Sequence, residues 1–179
     1  FKTTIHDFLF DTGVRGELGE LGDYFKNWNW ELGFRYSRNE EEAIFGGGVS
    51  GVLLICHANT CRSVMAHVIL ERMLAERGLG DVPVHSAGVA RFARDGMIAS
   101  LDARIVLREI GIRLAEEDFV STDLKRHLEL LEGAAVVVTM TGDQKQTVRE
   151  LGPSSRPLLT LRELAGEHGD IADPVGQGE

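Results

Sequence analysis

Cysteine is scarce in this chain: Cys56 and Cys61 are the only two, and none follows. That excludes a disulfide framework and a four-ligand zinc site, and it suits a reducing cytoplasm. No apolar run reaches the roughly 18 residues that suggest a membrane span, so none is expected. No secretory leader is read either, and the start at Phe1 instead of Met leads us to expect a natural N-terminus upstream. Positive charge is short, with 19 Lys and Arg against 28 Asp and Glu, a net charge of −9 and a pI near 5.2. Such a balance argues against nucleic-acid or acidic-membrane partners, so any anion site must draw on local potential. His57, His67, His85, His127 and His168 show no ligand spacing, so no metal or cofactor is expected.

Aromatics are nearly missing from the second part of the chain. Ten of the twelve fall within residues 1–50, which we read as an aromatic-rich extension spanning 1–48, ahead of a main domain at 49–179. Val14, Leu18, Leu21, Phe25 and Trp28 recur at helical steps, weakened by Gly16, Gly19 and Gly22, while Trp28, Trp30, Phe34 and Tyr36 also suit a hairpin. Asn39 to Glu42 and Gly46 to Gly48 read as a hinge. Fifty residues make a poor core alone, so an arm packed on the main domain is expected, its partner unknown.

What the main domain does contain is alternation. Gly51 to Ile55 reads as a buried strand and Val64 to Arg77 as a helix. A short strand from Val82 to His85 ends at Ser86-Ala-Gly88, and a helix from about Asp95 to Glu109 stops at Gly111. Ser121 to Asp123 caps a helix over 124–131, Ala134 to Thr139 is an unbroken apolar strand, and Thr141 or Asp143 caps the next helix. Pro157 to Thr160 makes a fourth strand. Strands and helices in turn predict an α/β fold with a parallel, doubly wound sheet, whose ligands sit beyond the carboxyl ends of the strands.

The Cys56 loop falls at that end. Cys56-His-Ala-Asn-Thr-Cys-Arg-Ser63 joins a strand to a helix, so its backbone N–H groups and the helix dipole converge on one concavity. Arg62 adds a planar fork for two phosphate oxygens. A thiol there loses its proton readily, which makes Cys56 a candidate nucleophile. Ser63 can cap the helix or donate to the thiolate, and Asn59 tolerates a left-handed backbone. His57, Ala58, Asn59, Thr60, Cys61 and Ser63 are the expected substrate-binding residues, with His57 at the mouth. Cys61 is placed to capture an oxidised Cys56 as a disulfide. A leaving group needs an acid and the covalent intermediate a base, for which Asp173, fixed by Pro174, is the first candidate and Asp170 the rival.

Val52 to Ser63, Ser86-Ala-Gly88, Val136 to Thr141 and Asp173-Pro174, in this order, resemble the low-molecular-weight protein tyrosine phosphatases across about residues 51–175. The resemblance implies a four-stranded parallel sheet flanked by helices. It implies Cys56 as nucleophile through a phosphocysteine, Arg62 as clamp, Asp173 as acid and then base, and phosphorylated proteins hydrolysed without metal. Ala58 stands where the family usually has Gly, Val64 where it has Pro, and Val175 where an aromatic follows Asp-Pro. The closing C-terminal helix is also expected to be absent, with the arm covering that face or supplying an aromatic wall. Thr60 resembles the protein arginine phosphatase branch, so phosphotyrosine and phosphoarginine both stay open as substrates. Arsenate reductases share the loop but need cysteines downstream, which this chain lacks. The remaining alternative is a catalytically weak, phosphatase-like binding module acting through its arm.

Overall fold

The computed structural model describes residues 51–152 and 156–174, together with the backbone of 10–17 and 29–36. In the N-terminal extension β1 (Phe10–Glu17) pairs antiparallel with β2 (Asn29–Tyr36), Gly13 opposite Gly33. Val14 therefore lies on a strand and not on the helix that the steps of three and four suggested. The glycines at 13 and 16 lower helix propensity, and pairing suits the alternation around Trp30 and Phe34. Leu18, Leu21, Phe25 and Trp28 lie outside the described residues.

The main sheet is parallel, with order β4-β3-β5-β6. Its strands are β3 (Gly51–Cys56), β4 (Val84–Gly88), β5 (Ala134–Thr139) and β6 (Leu158–Thr160). The helices between them are α1 (Arg62–Glu76), α2 (Leu101–Glu109), α3 (Glu129–Gly133) and α4 (Gly142–Leu151), and α5 (Leu161–Leu164) follows β6. The chain leaves β3 to one side to form β4, then crosses back to place β5 on the other. A crevice opens between the carboxyl ends of β3 and β5, where such sheets bind ligands.

Every residue of β3 is buried, because both faces of the strand are covered. Val52, Leu54 and Cys56 pack with Leu70 and Leu74 of α1, Met140 and Ile171 on one face. Leu53 and Ile55 pack with Leu124, Leu131 and Val148 on the other. Each such side chain contributes about 1.5–3 kcal/mol on burial. A third cluster joins Met65 and Ile69 of α1 to Ala103, Val106 and Leu107 of α2, and Cys61 belongs to it.

Several boundaries differ from the sequence expectation. α2 starts at Leu101, behind the cap Ser100, whose side chain accepts from Ala103 N. Residues 95–100 stay out of the helix: Asp95 and Gly96 make a turn, and Ile98 bridges Val120. The helix expected over 124–131 is divided into a 3-10 turn (Leu124–Arg126), capped by Asp123, and α3. α5 was not anticipated, and Thr160 with Glu163 forms its capping box. α1 starts at Arg62, ahead of the expected Val64, while α4 starts as expected, Thr141 capping it by accepting from Gln144 N.

Two glycines are obligatory. A Cβ on Gly51 would sit 2.2 Å from the Pro83 carbonyl oxygen. One on Gly88 would sit 2.7 Å from the Ala58 carbonyl carbon and 2.8 Å from the His57 oxygen. The Cys56 loop thus rests directly on the backbone of Gly88.

Candidate active site

The loop from Cys56 to Arg62 turns from β3 into α1, and its entry is fixed by backbone bonds. Val89 N donates to Cys56 O at 3.1 Å, Ala90 N to His57 O at 2.9 Å, and Ser100 N to Thr60 O at 2.7 Å. Asn59 takes the left-handed conformation, φ 58°, at the tightest point. Short polar side chains tolerate this region because they can bond locally, and Asn59 does so fully. Its Nδ2 donates to Ser63 Oγ and to Ser86 Oγ, both at 2.9 Å, and its Oδ1 accepts from Thr122 N at 2.9 Å.

Cys56 is buried, and two donors point at its sulfur: Asn59 N at 3.3 Å and Ser63 Oγ at 2.9 Å. Ser63 therefore donates to the sulfur and does not cap the helix; α1 begins behind Cys61 with no side-chain cap. Among the described residues, none accepts from the N–H groups of Ala58, Thr60, Cys61, Arg62 or Ser63. These orphan donors at the start of a helix make a cradle for an anion.

The polar network continues behind the loop. Ser86 Oγ lies 3.0 Å from His67 Nδ1, and His67 Nε2 lies 3.2 Å from Glu71 Oε1. Burial pushes His67 below the ordinary imidazole value of 6.5, against the pull of Glu71. A neutral ring with its proton on Nε2 completes the chain: His67 donates to Glu71, Ser86 to His67, Asn59 to Ser86 and Ser63, and Ser63 to Cys56. Phe119 meets the ring edge-on at 5.5 Å. Sequence reasoning had set His67 aside; its spacing of four from Glu71, on the helix that starts with Arg62, was the available signal.

Arg62 is only 3% exposed, and its guanidinium is fully directed. Nη1 donates to Ile171 O at 2.9 Å and Nη2 to Asp173 Oδ2 at 2.6 Å, with His57 Nδ1 at 3.4 Å from Nη2. Ile171 N in turn donates to Met140 O at 2.8 Å, which anchors the C-terminal loop over the end of β5. Asp173 thus lies across the crevice from the Cys56 loop. Asp170 is committed elsewhere, accepting from Gly142 N at 2.8 Å at the start of α4.

Of the other expected binding residues, His57 is exposed beside Asp173, their atoms 3.6 Å apart, and Ala58 and Thr60 are half-buried. The side chains of Asn59, Cys61 and Ser63 turn inward, so these three can meet a ligand only through their N–H groups. Both cysteines are free thiols. Burial pushes the Cys61 thiol up, and the charges of Cys56, Asp173 and Asp102 push the same way against a hydrogen bond with Ser100. Phe92, which sequence reasoning did not select, stands 63% exposed on the loop that Ala90 ties to His57. Ala58 has a negative φ, so its backbone does not require glycine, and Val64 is wholly buried in α1. Val175 lies outside the described residues. No group of three or more His, Cys, Asp and Glu among the described residues is arranged to hold a metal.

Comparison with known proteins places this geometry. The family model described as low molecular weight phosphotyrosine protein phosphatase matches residues 51–179. The chain is 40% identical over 127 residues to the protein-arginine-phosphatase of Geobacillus stearothermophilus, covering 70% of this chain and 78% of that protein. It is 37% identical to the protein-arginine-phosphatase of Bacillus subtilis, covering 70% and 79%. The crystal structure of a low molecular weight protein tyrosine phosphatase from T. tengcongensis superposes with a TM-score of 0.63 at 34% identity, covering 72% of this chain and 84% of that one. With its four-stranded parallel sheet flanked by helices, the chain belongs to the low molecular weight phosphotyrosine protein phosphatase family.

Proposed function

We propose that the chain is a cysteine-dependent protein phosphatase of the phosphoarginine-directed branch, acting through Cys56, Arg62 and Asp173. The observation that carries the reading is the 2.6 Å contact of Asp173 with Arg62, which sets a carboxyl group opposite the loop that presents a hydrogen-bonded sulfur.

In the first step the Cys56 sulfur attacks phosphorus and the bond to the leaving nitrogen breaks. Asp173 gives its proton to that nitrogen, and the guanidine departs. For phosphotyrosine the leaving atom is oxygen and the proton transfer is the same. In the second step Asp173 takes a proton from water as the water oxygen attacks phosphorus. The S–P bond breaks, sulfur leaves as thiolate and phosphate is released. Negative charge on the phosphoryl oxygens is met throughout by the N–H groups of the loop and by Arg62, positioned before the reaction begins. Arg62 must exchange Asp173 for the phosphoryl group when substrate enters, which frees the acid where it is used.

Support for phosphoarginine comes from Thr60 and from relatives named protein-arginine-phosphatases. The cytoplasm suits this chemistry because it keeps Cys56 reduced. Release of phosphate from p-nitrophenyl phosphate should be lost in Cys56→Ser; equal, near-zero rates for wild type and variant would instead leave a binding module. Wild type should favour a phosphoarginine peptide over its phosphotyrosine counterpart, and Thr60→Ile should narrow that preference. An unchanged ratio would remove Thr60 from substrate choice.

A further inference from the structure

α2 carries apolar side chains on both of its faces. Ala103, Val106 and Leu107 face the core, yet Leu101 is 62% exposed and Ile105 37% exposed on the opposite side. These two, with Leu114, floor a surface groove of about 320 Å³. Its rim is formed by Arg104, Arg108 and Arg113, and no acidic residue lines it. In a chain of net charge −9 this is a local reversal of sign.

Of those arginines Arg104 is paired, and Arg108 and Arg113 carry the uncompensated charge. Arg104 meets Glu116 at 2.9 Å through Nη1, but its Nε is shut off from solvent without an acceptor. Arg108 and Arg113 form no ion pair among the described residues. An apolar floor beside the guanidinium groups of Arg108 and Arg113 suits a ligand that combines an aliphatic side chain with carboxylates.

The groove also has a fixed position relative to the catalytic loop. Ser100, the residue before Leu101, donates its N–H to Thr60 O at 2.7 Å, and Cys61 packs against the inner face of α2. From Ser100 to Arg108 the helix advances about 12 Å, the span of about four extended residues.

Resting on the phosphatase reading above, the geometry points to this groove as the docking surface for the protein substrate itself. Its occupant is an acidic, aliphatic stretch within about four or five residues of the phosphorylated side chain. The groove raises local substrate concentration against the repulsion of an acidic enzyme and so acts on KM.

Two phosphopeptides, identical except for a Glu-Leu-Glu or a Gln-Ser-Gln flank, test this with the full chain. Wild type should favour the acidic peptide about tenfold in kcat/KM, chiefly through KM, with the preference shrinking as salt rises. Arg108→Gln/Arg113→Gln and, separately, Leu101→Ser should each remove most of that preference while p-nitrophenyl phosphate, too small to reach the groove, is turned over as before. Equal rates for the two peptides with wild type, or a preference that survives both variants, would overturn the assignment. Self-association that is lost in Leu101→Ser would give the groove to a second copy of the chain and overturn it too. Should the phosphatase reading itself fail, fluorescence anisotropy of the labelled, unphosphorylated acidic peptide still decides: weaker binding to the double variant supports docking, and identical binding refutes it.

Discussion

Arg62 and Asp173, 111 positions apart in the chain, meet at 2.6 Å, with Arg62 buried and Asp173 partly open to solvent. The pair joins the two halves of the site. In the proposed mechanism both groups also serve the substrate, so removing one should affect chemistry and binding differently.

Asp173→Asn keeps the shape and removes the transferable proton. Turnover of p-nitrophenyl phosphate should fall about 10²- to 10⁴-fold, while inhibition by inorganic phosphate stays equal or tightens because Arg62 no longer holds a carboxylate. Asp170→Ala should behave in the opposite way. It leaves Gly142 N without its acceptor and costs about 1 kcal/mol in a denaturant melt, with turnover far closer to wild type.

Asn59 combines a strained backbone with three side-chain hydrogen bonds. Asn59→Ala should destabilise by about 3 kcal/mol, from lost buried bonds and the left-handed conformation together. Asn59→Gly should recover about 1 kcal/mol of that, the backbone share, without restoring turnover. Equal stability of the two variants would show that the backbone is not strained.

Gly88→Ala places a methyl group within 2.7 Å of the Ala58 carbonyl carbon. Backbone cannot yield as a side chain does, so a loss of about 1–3 kcal/mol is expected, together with reduced turnover as the Cys56 loop is pushed outward. A Gly88→Ala protein with wild-type kinetics would show that the loop does not depend on that seat.

Two histidines give opposite pH dependence. His67 is held below 6.5 in the folded state, so the unfolded chain binds more protons, and stability falls as pH drops through 6.5 toward the folded value. His127 is held above 6.5 by hydrogen bonds with Asp95 and Glu129; its contribution is complete below 6.5 and fades as pH rises through the folded value. Thermal melts from pH 5 to 8 should show His67→Gln flattening the acid side and His127→Gln flattening the neutral side. The same slopes in both variants would contradict these environments.

Much of the main domain was legible in order. The apolar runs at 51–55 and 134–139 are strands because both faces are covered, and Thr141 caps as its side chain suggests. Boundaries failed where tertiary contacts overruled periodicity: Ile98 fits a helical stripe, yet pairing with Val120 keeps it extended. In the extension, steps of three and four among apolar residues fitted two periods at once, and the backbone adopts the paired one.

By itself the sequence determined the Cys56 to Ser63 loop, its place between strand and helix, and the family, since spacing along one short segment fixes that local geometry. For the acid it put Asp173, fixed by Pro174, ahead of its neighbour Asp170. Only the tertiary structure decided their different surroundings, because Ile171 N bonding to Met140 O is a contact between distant segments that goes with one carboxylate facing Arg62 and the other Gly142. It likewise brought His67 and Ser86 behind the sulfur, a relation that depends on how α1 packs on β4 and leaves no periodic trace in the chain.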